Sequence, residues 1–468
     1  MKRLVLAIAV ILVFGIANGQ TVVTRLQEAF DRFSIDTQLR HASISIYIID
    51  AASGEIILDK NSQLGMAPAS TQKIITSVTA FELLGKDFRY STQLSYGGQL
   101  KNGQLDGNIY IEGSGDPTLG SWRYAATKEE LLLNTWVDAI MKKGIRKING
   151  ELVVVDHWDG QRIPDGWIWQ DIGNYYGAGA RAVNWRENQF DIVLASGSTV
   201  GDPVRIVKTI PEMFETKFRA ELLTGPKGSG DNAYIYLPER NGERPVRGTI
   251  PAAENAFTIS GSMTDPAAQL TGALKKKLVV SKVTTGSGSG LQHTVSTSAS
   301  VPLFNLLLSH RSPTLDSIIY FFNKRSINLY GEALVKTMGF SKTGSATTDS
   351  GIAVVRKFWK EKGLDDQELN MYDGSGLSPL NRVTTHAQVT ILKYAREQEW
   401  FPLFYAALPE FNNMKMKSGT ISDTKGFCGY HTSRNGKAYI FSFLVNNYSG
   451  RATQLINKMY RVLDVLKE

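Results

Sequence analysis

Met414-Lys415-Met416-Lys417-Ser418-Gly419-Thr420-Ile421 begins a strand-forming run near the C-terminal end of the sequence. It is followed by Gly-Phe-Cys-Gly-Tyr-His-Thr over 426–432, the pair Asn435-Gly436, and Ala-Tyr-Ile-Phe-Ser-Phe-Leu-Val over 438–445. β-Branched and aromatic residues bounded by turn formers predict three strands, and Asn-Gly is a strong signal for a tight hairpin. Connections this short force antiparallel pairing. The last segment, 451–468, then places Leu455, Ile456, Met459, Val462, Leu463 and Leu466 at helical spacing. Such a stripe suits a helix packed on a sheet, with a membrane-surface helix as the alternative.

Working outward, the alternation of 43–48, the turn at Ala52-Ser53-Gly54 and the resumption at 55–58 predict a hairpin at the other end of the chain. A helix is expected over 70–84, with Ile74, Ile75, Val78, Phe81 and Leu84 apolar and Gly85 as its cap. Further helices are expected at 314–322, at 328–338 with Gly339 as cap, at 350–362 with Gly363 as cap, and at 385–396. Between 97 and 293 the character changes. Hairpin signals occur at Lys101-Asn102-Gly103 and Leu105-Asp106-Gly107, a helix at 128–143, a strand at 152–155, and Gly-rich turns such as 286–290. No period of about 20–50 residues recurs, so a solenoid is excluded. The expected fold class is α+β: an antiparallel sheet with helices, in two pieces (20–96 and 294–468), carrying a large β-rich insertion over 97–293.

The chain has 468 residues, of which 42% are hydrophobic and 21% charged, enough for two or three structural units with real cores. The net charge is +8, and Lys2 and Arg3 lie in a segment expected to be removed, which leaves +6. That charge is spread along the chain. Its densest run, Lys275 to Lys277, reads as a solvated face, so no nucleic-acid partner is expected.

Residues 1–19 have the order of a secretory leader: a basic start, an apolar run over 4–16, then Ala17-Asn18-Gly19 before Gln20. The apolar run is short of the roughly 20 residues that an anchor needs. Cleavage near Gly19-Gln20 and a periplasmic location are therefore expected, with no integral membrane span after leader removal. The single cysteine, Cys428, allows no internal disulfide and reads as a buried, inert strand residue. The six histidines (41, 157, 293, 310, 386 and 431) are scattered and form no metal-ligand spacing.

Three short strings carry chemistry. In Ser70-Thr71-Gln72-Lys73 the serine and lysine share a helix face about 5–6 Å apart at Cβ. A desolvated lysine near other cations can give up its proton and take that of the hydroxyl. The plain alternative is a capping serine beside a solvated lysine. Ser422-Asp423-Thr424-Lys425 matches the same string but falls in a turn between strands, which fixes no such geometry. Ser326-Ile327-Asn328 lies on a loop between helices, where hydroxyl and carboxamide can reach one cleft or merely cap a helix. Lys417-Ser418-Gly419-Thr420 lies on the first meander strand, with Lys417 and Gly419 facing one side and Ser418 and Thr420 the other. Gly419 admits close backbone approach, and Lys417 with the hydroxyls can bind a carboxylate. A second copy, Lys342-Thr343-Gly344, leads into no strand.

In this order, on helix, loop and strand, the three strings resemble the penicillin-binding proteins and class A β-lactamases. Gly113-Ser114-Gly115-Asp116-Pro117-Thr118-Leu119, Asp373-Gly374-Ser375-Gly376-Leu377-Ser378 and Asn381-Arg382-Val383-Thr384 narrow the resemblance, as do the 256 positions between Ser70 and Ser326. From about residue 25 onward the chain is similar to the DacB-type D-alanyl-D-alanine carboxypeptidase/endopeptidases, the class C low-molecular-mass penicillin-binding proteins. The resemblance implies a serine β-lactamase/DD-transpeptidase-like domain. Its implied reaction is an acyl-serine hydrolysis of peptidoglycan stem peptides that end in D-Ala-D-Ala or are cross-linked. β-Lactams would acylate the same serine, and no metal or organic cofactor is required.

The resemblance also implies roles. Ser70 would be the nucleophile, Lys73 its base, Ser326 the proton shuttle helped by Lys417, and Asn328 a holder of the substrate backbone. Ser418 and Thr420 would bind the terminal carboxylate, and the amides of Ser70 and Thr420 would form the oxyanion hole. An acidic residue of the insertion, matched best by Asp156, would bind a diamino-acid amine. Relatives carry Arg where this chain has Pro379, which leaves Arg382 as the candidate for the diamino-acid carboxylate. Trp167, Trp169, Tyr175 and Tyr176 read as core, with a glycan or peptide groove as the alternative. Two other readings remain. A β-lactamase would use an acid such as Asp366 in the Asp366-Gln367-Glu368-Leu369-Asn370 stretch, and a non-catalytic peptidoglycan-binding or sensor module would use none of this chemistry.

Overall fold

The computed structural model describes residues 21–158, 162–213, 216–239, 242–286 and 304–468, with 293–294 through their backbone. The leader expected over 1–19 and most of the Gly-rich turn 286–290 lie outside them.

The three meander strands form at Met414–Ile421, Thr424–Thr432 and Ala438–Asn446, and they sit inside a six-stranded antiparallel sheet. The N-terminal hairpin, Ser43–Asp50 with Ile56–Lys60, completes that sheet by pairing along the last meander strand, from Ser43↔Asn446 to Asp50↔Tyr439. Both faces of the sheet are covered, so the alternating residues of Ala438–Asn446 are apolar on both sides. Tyr439, Phe441, Phe443 and Val445 pack with Leu26, Phe30 and Phe33 of helix Val22–Ser34 and with Leu455, Met459 and Val462 of helix Ala452–Leu463. The terminal stripe thus packs on the sheet. Among the described residues no helix is long and apolar enough to cross a membrane.

The opposite face carries helices Lys73–Leu84, Leu315–Lys324, Asn328–Thr343 and Thr385–Arg396, whose apolar side chains join one core. The helix expected to stop at Gly339 runs on to Thr343 and ends with Gly344 in the left-handed region. Gly339 is instead a crossing point. A Cβ there would lie 2.8 Å from the Gly351 amide nitrogen, so its absence lets helix Thr348–Glu361 pack close. Lys342-Thr343-Gly344 is therefore a helix terminus, followed by another helix and not by a strand.

The intervening sequence forms a second core. Strands Ser91–Lys101 and Gln104–Gly113 are joined by Asn102 and Gly103, both with positive φ, as a two-residue hairpin turn demands. The second hairpin signal, Leu105-Asp106-Gly107, is no turn: the strand continues through it, paired with 98–100. Leu152–Val155 and Asn305–Arg311 extend this sheet, with helices Glu129–Lys142 and Pro266–Val280 over it. The expected limits at 97 and 293 do not coincide with it, because Ser91–Lys101 pairs with Asn305–Arg311 and the sheet spans 91–311. Two three-stranded sheets enclose a further small core around Phe190, Ile192 and Ile235. Lys276 and Lys277 of the basic run lie on helix Pro266–Val280 and pair with Glu212 and Glu130.

Candidate active site

Ser70 sits on a single 3₁₀ turn, Ala69–Gln72, which feeds directly into helix Lys73–Leu84. The i, i+3 relation holds across that junction, with Lys73 Nζ 2.9 Å from Ser70 Oγ. The residue before the serine, Ala69, is fully buried at φ +46°, a left-handed conformation that an L-residue adopts only when its surroundings enforce it.

Lys73 is fully buried and lies 2.7 Å from both Asn328 Oδ1 and the Ser375 carbonyl. Burial, reinforced by the nearby Lys417 cation, holds its ammonium well below the ordinary lysine range, against the pull of Asp373 and Glu332. A neutral amine has two N–H donors and one lone pair. Asn328 Oδ1 and the Ser375 carbonyl can only accept, so they take the two N–H groups, and the lone pair is left for the Ser70 hydroxyl.

The Ser375 carbonyl is aimed by its own loop. The buried Asp373 carboxylate accepts from the amides of Gly376 at 2.7 Å and Ser378 at 2.6 Å, and from Trp167 Nε1 at 2.8 Å. Gln72 and Asn381 side chains donate to it as well, each at 3.0 Å. From below, Glu332 accepts from the Gly374 amide at 3.1 Å; burial and the Asp373 charge push its carboxyl up to about 8.

Ser326 precedes helix Asn328–Thr343 and is itself left-handed, at φ +56°. Its hydroxyl accepts from Lys417 Nζ at 3.0 Å. The capping alternative is not realised, since the N-cap position is Ile327 and no side chain caps the helix. Asn328 instead bridges: its carbonyl faces Lys73 and its N–H donates to the Tyr176 carbonyl at 2.8 Å. Lys417 also donates to the Ser418 carbonyl at 2.8 Å, and burial, then Lys425, bring its ammonium down to about 7.

Gly419 is where strand and nucleophile turn meet. A Cβ at this position would lie 2.6 Å from the Pro68 carbonyl oxygen and 2.9 Å from the amide nitrogens of Ser70 and Thr71. Behind it Cys428 is free and buried, its thiol pushed up by burial.

These residues floor a cavity of about 560 Å³, lined by Ser70, Ser326, Asn328 and Thr420 together with side chains of the inserted sequence. Ser418 is half-buried and Thr420 exposed, on the strand side opposite Lys417. Two proposed binders are not in the cavity wall. Asp156 accepts from the Trp158 and Ala182 amides, ordering a strand end. Arg382 folds back onto the carbonyls of Pro379 and Asn381, and Pro379 rather than Arg382 lines the cavity. An acid that does reach the wall is Asp171, whose carboxyl is raised by burial and faces the Tyr176 hydroxyl at 3.4 Å. Its only signal in the sequence is its place between Trp169 and Tyr175.

That aromatic run divides. Tyr175 and Tyr176 line the cavity, Trp169 is exposed against Tyr236, and Trp167 is buried on Asp373. Sequence reasoning also passed over Arg123 and Glu187, which line the same wall as a pair 2.9 Å apart. Glu187 stands in a run of three left-handed residues, Arg186 to Asn188. The Asp366 stretch lies elsewhere, with Asp366 facing Arg356 and Lys360. Among the described residues no cluster of His, Cys, Asp and Glu is placed to hold a metal ion.

Comparison with known proteins bears on this geometry. A sequence profile described as the D-Ala-D-Ala carboxypeptidase 3 (S13) family matches residues 26–465. The D-alanyl-D-alanine carboxypeptidase of Actinomadura sp. (strain R39) is 28% identical over 463 residues, covering 92% of this chain and 82% of that one. The crystal structure of penicillin binding protein 4 (dacB) from Haemophilus influenzae superposes with a TM-score of 0.79 at 21% identity, over 96% of this chain and 100% of that one. The same protein complexed with a β-lactam gives 0.75 at 21% identity over the same shares.

Proposed function

The chain belongs to the D-Ala-D-Ala carboxypeptidase 3 (S13) family, penicillin-binding serine peptidases of peptidoglycan, and from that premise we propose that Ser70 is its acylated nucleophile. Ser70 Oγ attacks the carbonyl carbon of the penultimate D-Ala while its proton passes to the Lys73 amine. The oxyanion is held by the amides of Ser70 and Thr420, each such donor being worth roughly 10²–10³ in rate. Ser326, held by Lys417, relays the proton that Lys73 took from Ser70 to the leaving amine as the C–N bond breaks, which returns Lys73 to its neutral form. D-Ala departs, or the cross-linking residue does when the substrate is a cross-link, and water then hydrolyses the ester. The same attack on a β-lactam ring leaves a slowly hydrolysed adduct.

The observation that carries this reading is the Lys73 amine itself. It is fully buried, donates to two pure acceptors, and has the Ser70 hydroxyl at 2.9 Å as the remaining partner to take a proton from.

Substrate direction follows from the walls. Thr420 in the cavity wall and its strand neighbour Ser418 take the terminal carboxylate, and Asp171, rather than Asp156, takes a free amine of the stem peptide; Arg382, the candidate for the diamino-acid carboxylate, lies outside the wall. The inserted unit, which we place at 91–311, forms the outer wall. It is anchored to the reacting centre by the Asn328–Tyr176 hydrogen bond. Export to the periplasm with removal of 1–19 fits a substrate in the cell wall. The test is intact-mass analysis after exposure to a fluorescent penicillin. One adduct per chain, lost in Ser70→Ala, is expected. An adduct that persists in the variant assigns another serine, and rapid penicillin turnover without an adduct favours a β-lactamase.

A further inference from the structure

Lys425 is unusual among the basic residues of the chain. It is 6% exposed, and it stands directly opposite Thr420 on the neighbouring strand. Its Nζ lies 2.8 Å from Thr420 Oγ1 and 4.8 Å from the Phe427 ring centroid. Among the described residues no carboxylate pairs with it, and none pairs with Lys417 in the same sheet. Burial alone lowers its ammonium, to about 8, as expected for a cation that lacks a counter-charge. Two desolvated, uncompensated cations on adjacent strands are costly unless an anion visits them.

The hydrogen-bond direction says where that anion would sit. An ammonium can only donate, so Thr420 Oγ1 accepts from Lys425 and must point its own hydrogen elsewhere. Thr420 is exposed and lines the cavity that Ser70 opens into. On the inserted wall Glu187 is neutralised by Arg123, which leaves Asp171, among the described residues, as the acid without an ion-pair partner there, and Lys425 stands behind Thr420.

We propose that Lys425 is a positioning and specificity residue that orients the Thr420 hydroxyl toward, and supplies the counter-charge for, the free α-carboxylate of the substrate's leaving residue. The Ser422-x-x-Lys425 string, which imitates the nucleophile motif, is on this reading part of the carboxylate pocket. Ser422 lines the cavity beside Thr420, and the turn at Asp423 separates it from the lysine. The inference rests on the acyl-serine reading and goes beyond it, since acylation of Ser70 needs no particular residue at 425.

The experiment compares hydrolysis of an N-acylated peptide ending in D-Ala-D-Ala with that of its terminal carboxamide, measuring kcat and KM separately for wild type, Lys425→Met and Lys425→Arg. Loss of a hydrogen bond to a charged group predicts that kcat/KM for the acid falls roughly ten- to hundredfold in Lys425→Met, mainly through KM. The acid-to-carboxamide ratio should collapse in that variant and be largely restored in Lys425→Arg. A purely structural role would lower both substrates together, and an unchanged ratio or an equal loss overturns the proposal. Should Lys425→Met not fold, Lys425→Gln against Lys425→Arg gives the same contrast. A penicillin adduct on Ser70 in every variant keeps the two readings apart. With the adduct present, a lost preference supports the lysine assignment and a kept preference refutes it.

Discussion

Replacing Gly419 by alanine adds one carbon at the point where the strand meets the nucleophile turn, and the structure states what it would strike. The new Cβ would lie 2.6 Å from the Pro68 carbonyl oxygen and 2.9 Å from the Ser70 and Thr71 nitrogens. Optimal non-bonded separation is about 3.5 Å or more, so the closest contact is short by about 0.9 Å. All three struck atoms are backbone, so no rotamer change relieves the clash. The strand must move off the turn by a substantial fraction of an ångström. That motion separates the Thr420 amide from the Ser70 amide, and a misplacement of about 1 Å at a reacting centre costs on the order of 10²-fold. We expect the second-order rate of penicillin acylation, followed by stopped-flow fluorescence, to fall roughly 10²-fold or more. Overpacking should cost about 1–3 kcal/mol of stability, read as a lowered Tm. The decisive comparison is with Thr420→Ala, which removes a hydroxyl but leaves the backbone in place. If Gly419→Ala folds and acylates at the wild-type rate, the close approach of strand and turn plays no part in the reaction.

Three further outcomes follow from the same geometry. Asp171→Asn should raise KM for stem peptides bearing a free amine several-fold, on the order of 1 kcal/mol, while Asp156→Asn and Arg382→Ala leave it unchanged. Equal effects at 156 and 171 would contradict the cavity wall. The Glu332 carboxyl is pushed up to about 8 from an ordinary 4.5, so between those values the folded chain binds more protons than the unfolded one. Stability contributed by this group is therefore present at low pH and lost as pH rises through about 8. Glu332→Gln should gain on wild type in Tm between pH 5 and pH 8; a difference independent of pH would show that Glu332 is ionised throughout. Lys417, brought down to about 7, has the opposite sign: the unfolded state binds the extra proton above that value, and stability rises with pH toward the ordinary lysine range. Lys417→Met should flatten that rise in pH-dependent thermal melts.

Much of the framework is determined by local sequence. Period-2 alternation, the Asn435-Gly436 pair and the capping glycines act over a few residues, and the meander, the N-terminal hairpin and helix Thr385–Arg396 form where those signals lie. The three motifs are equally local in spelling. What spelling does not supply is the choice between copies. Ser422-x-x-Lys425 and Lys342-Thr343-Gly344 read like their counterparts, and they differ because one spans a turn between strands and the other ends a helix.

The tertiary structure alone decides the chemistry. Burial and the Lys417 cation lower the Lys73 ammonium, the partners that fix its position stand 255 and 302 positions away, and no window of sequence contains that desolvation. Asp171 rather than Asp156 reaches the cavity because the inserted chain folds back until the Tyr176 carbonyl meets Asn328. Gly339 reads as a cap and is a helix crossing, because the helix that needs the space is another element. Backbone preference is a property of neighbours along the chain. Dielectric, proton affinity and close approach are properties of neighbours in space, and only the assembled sheet, helices and insertion bring those together.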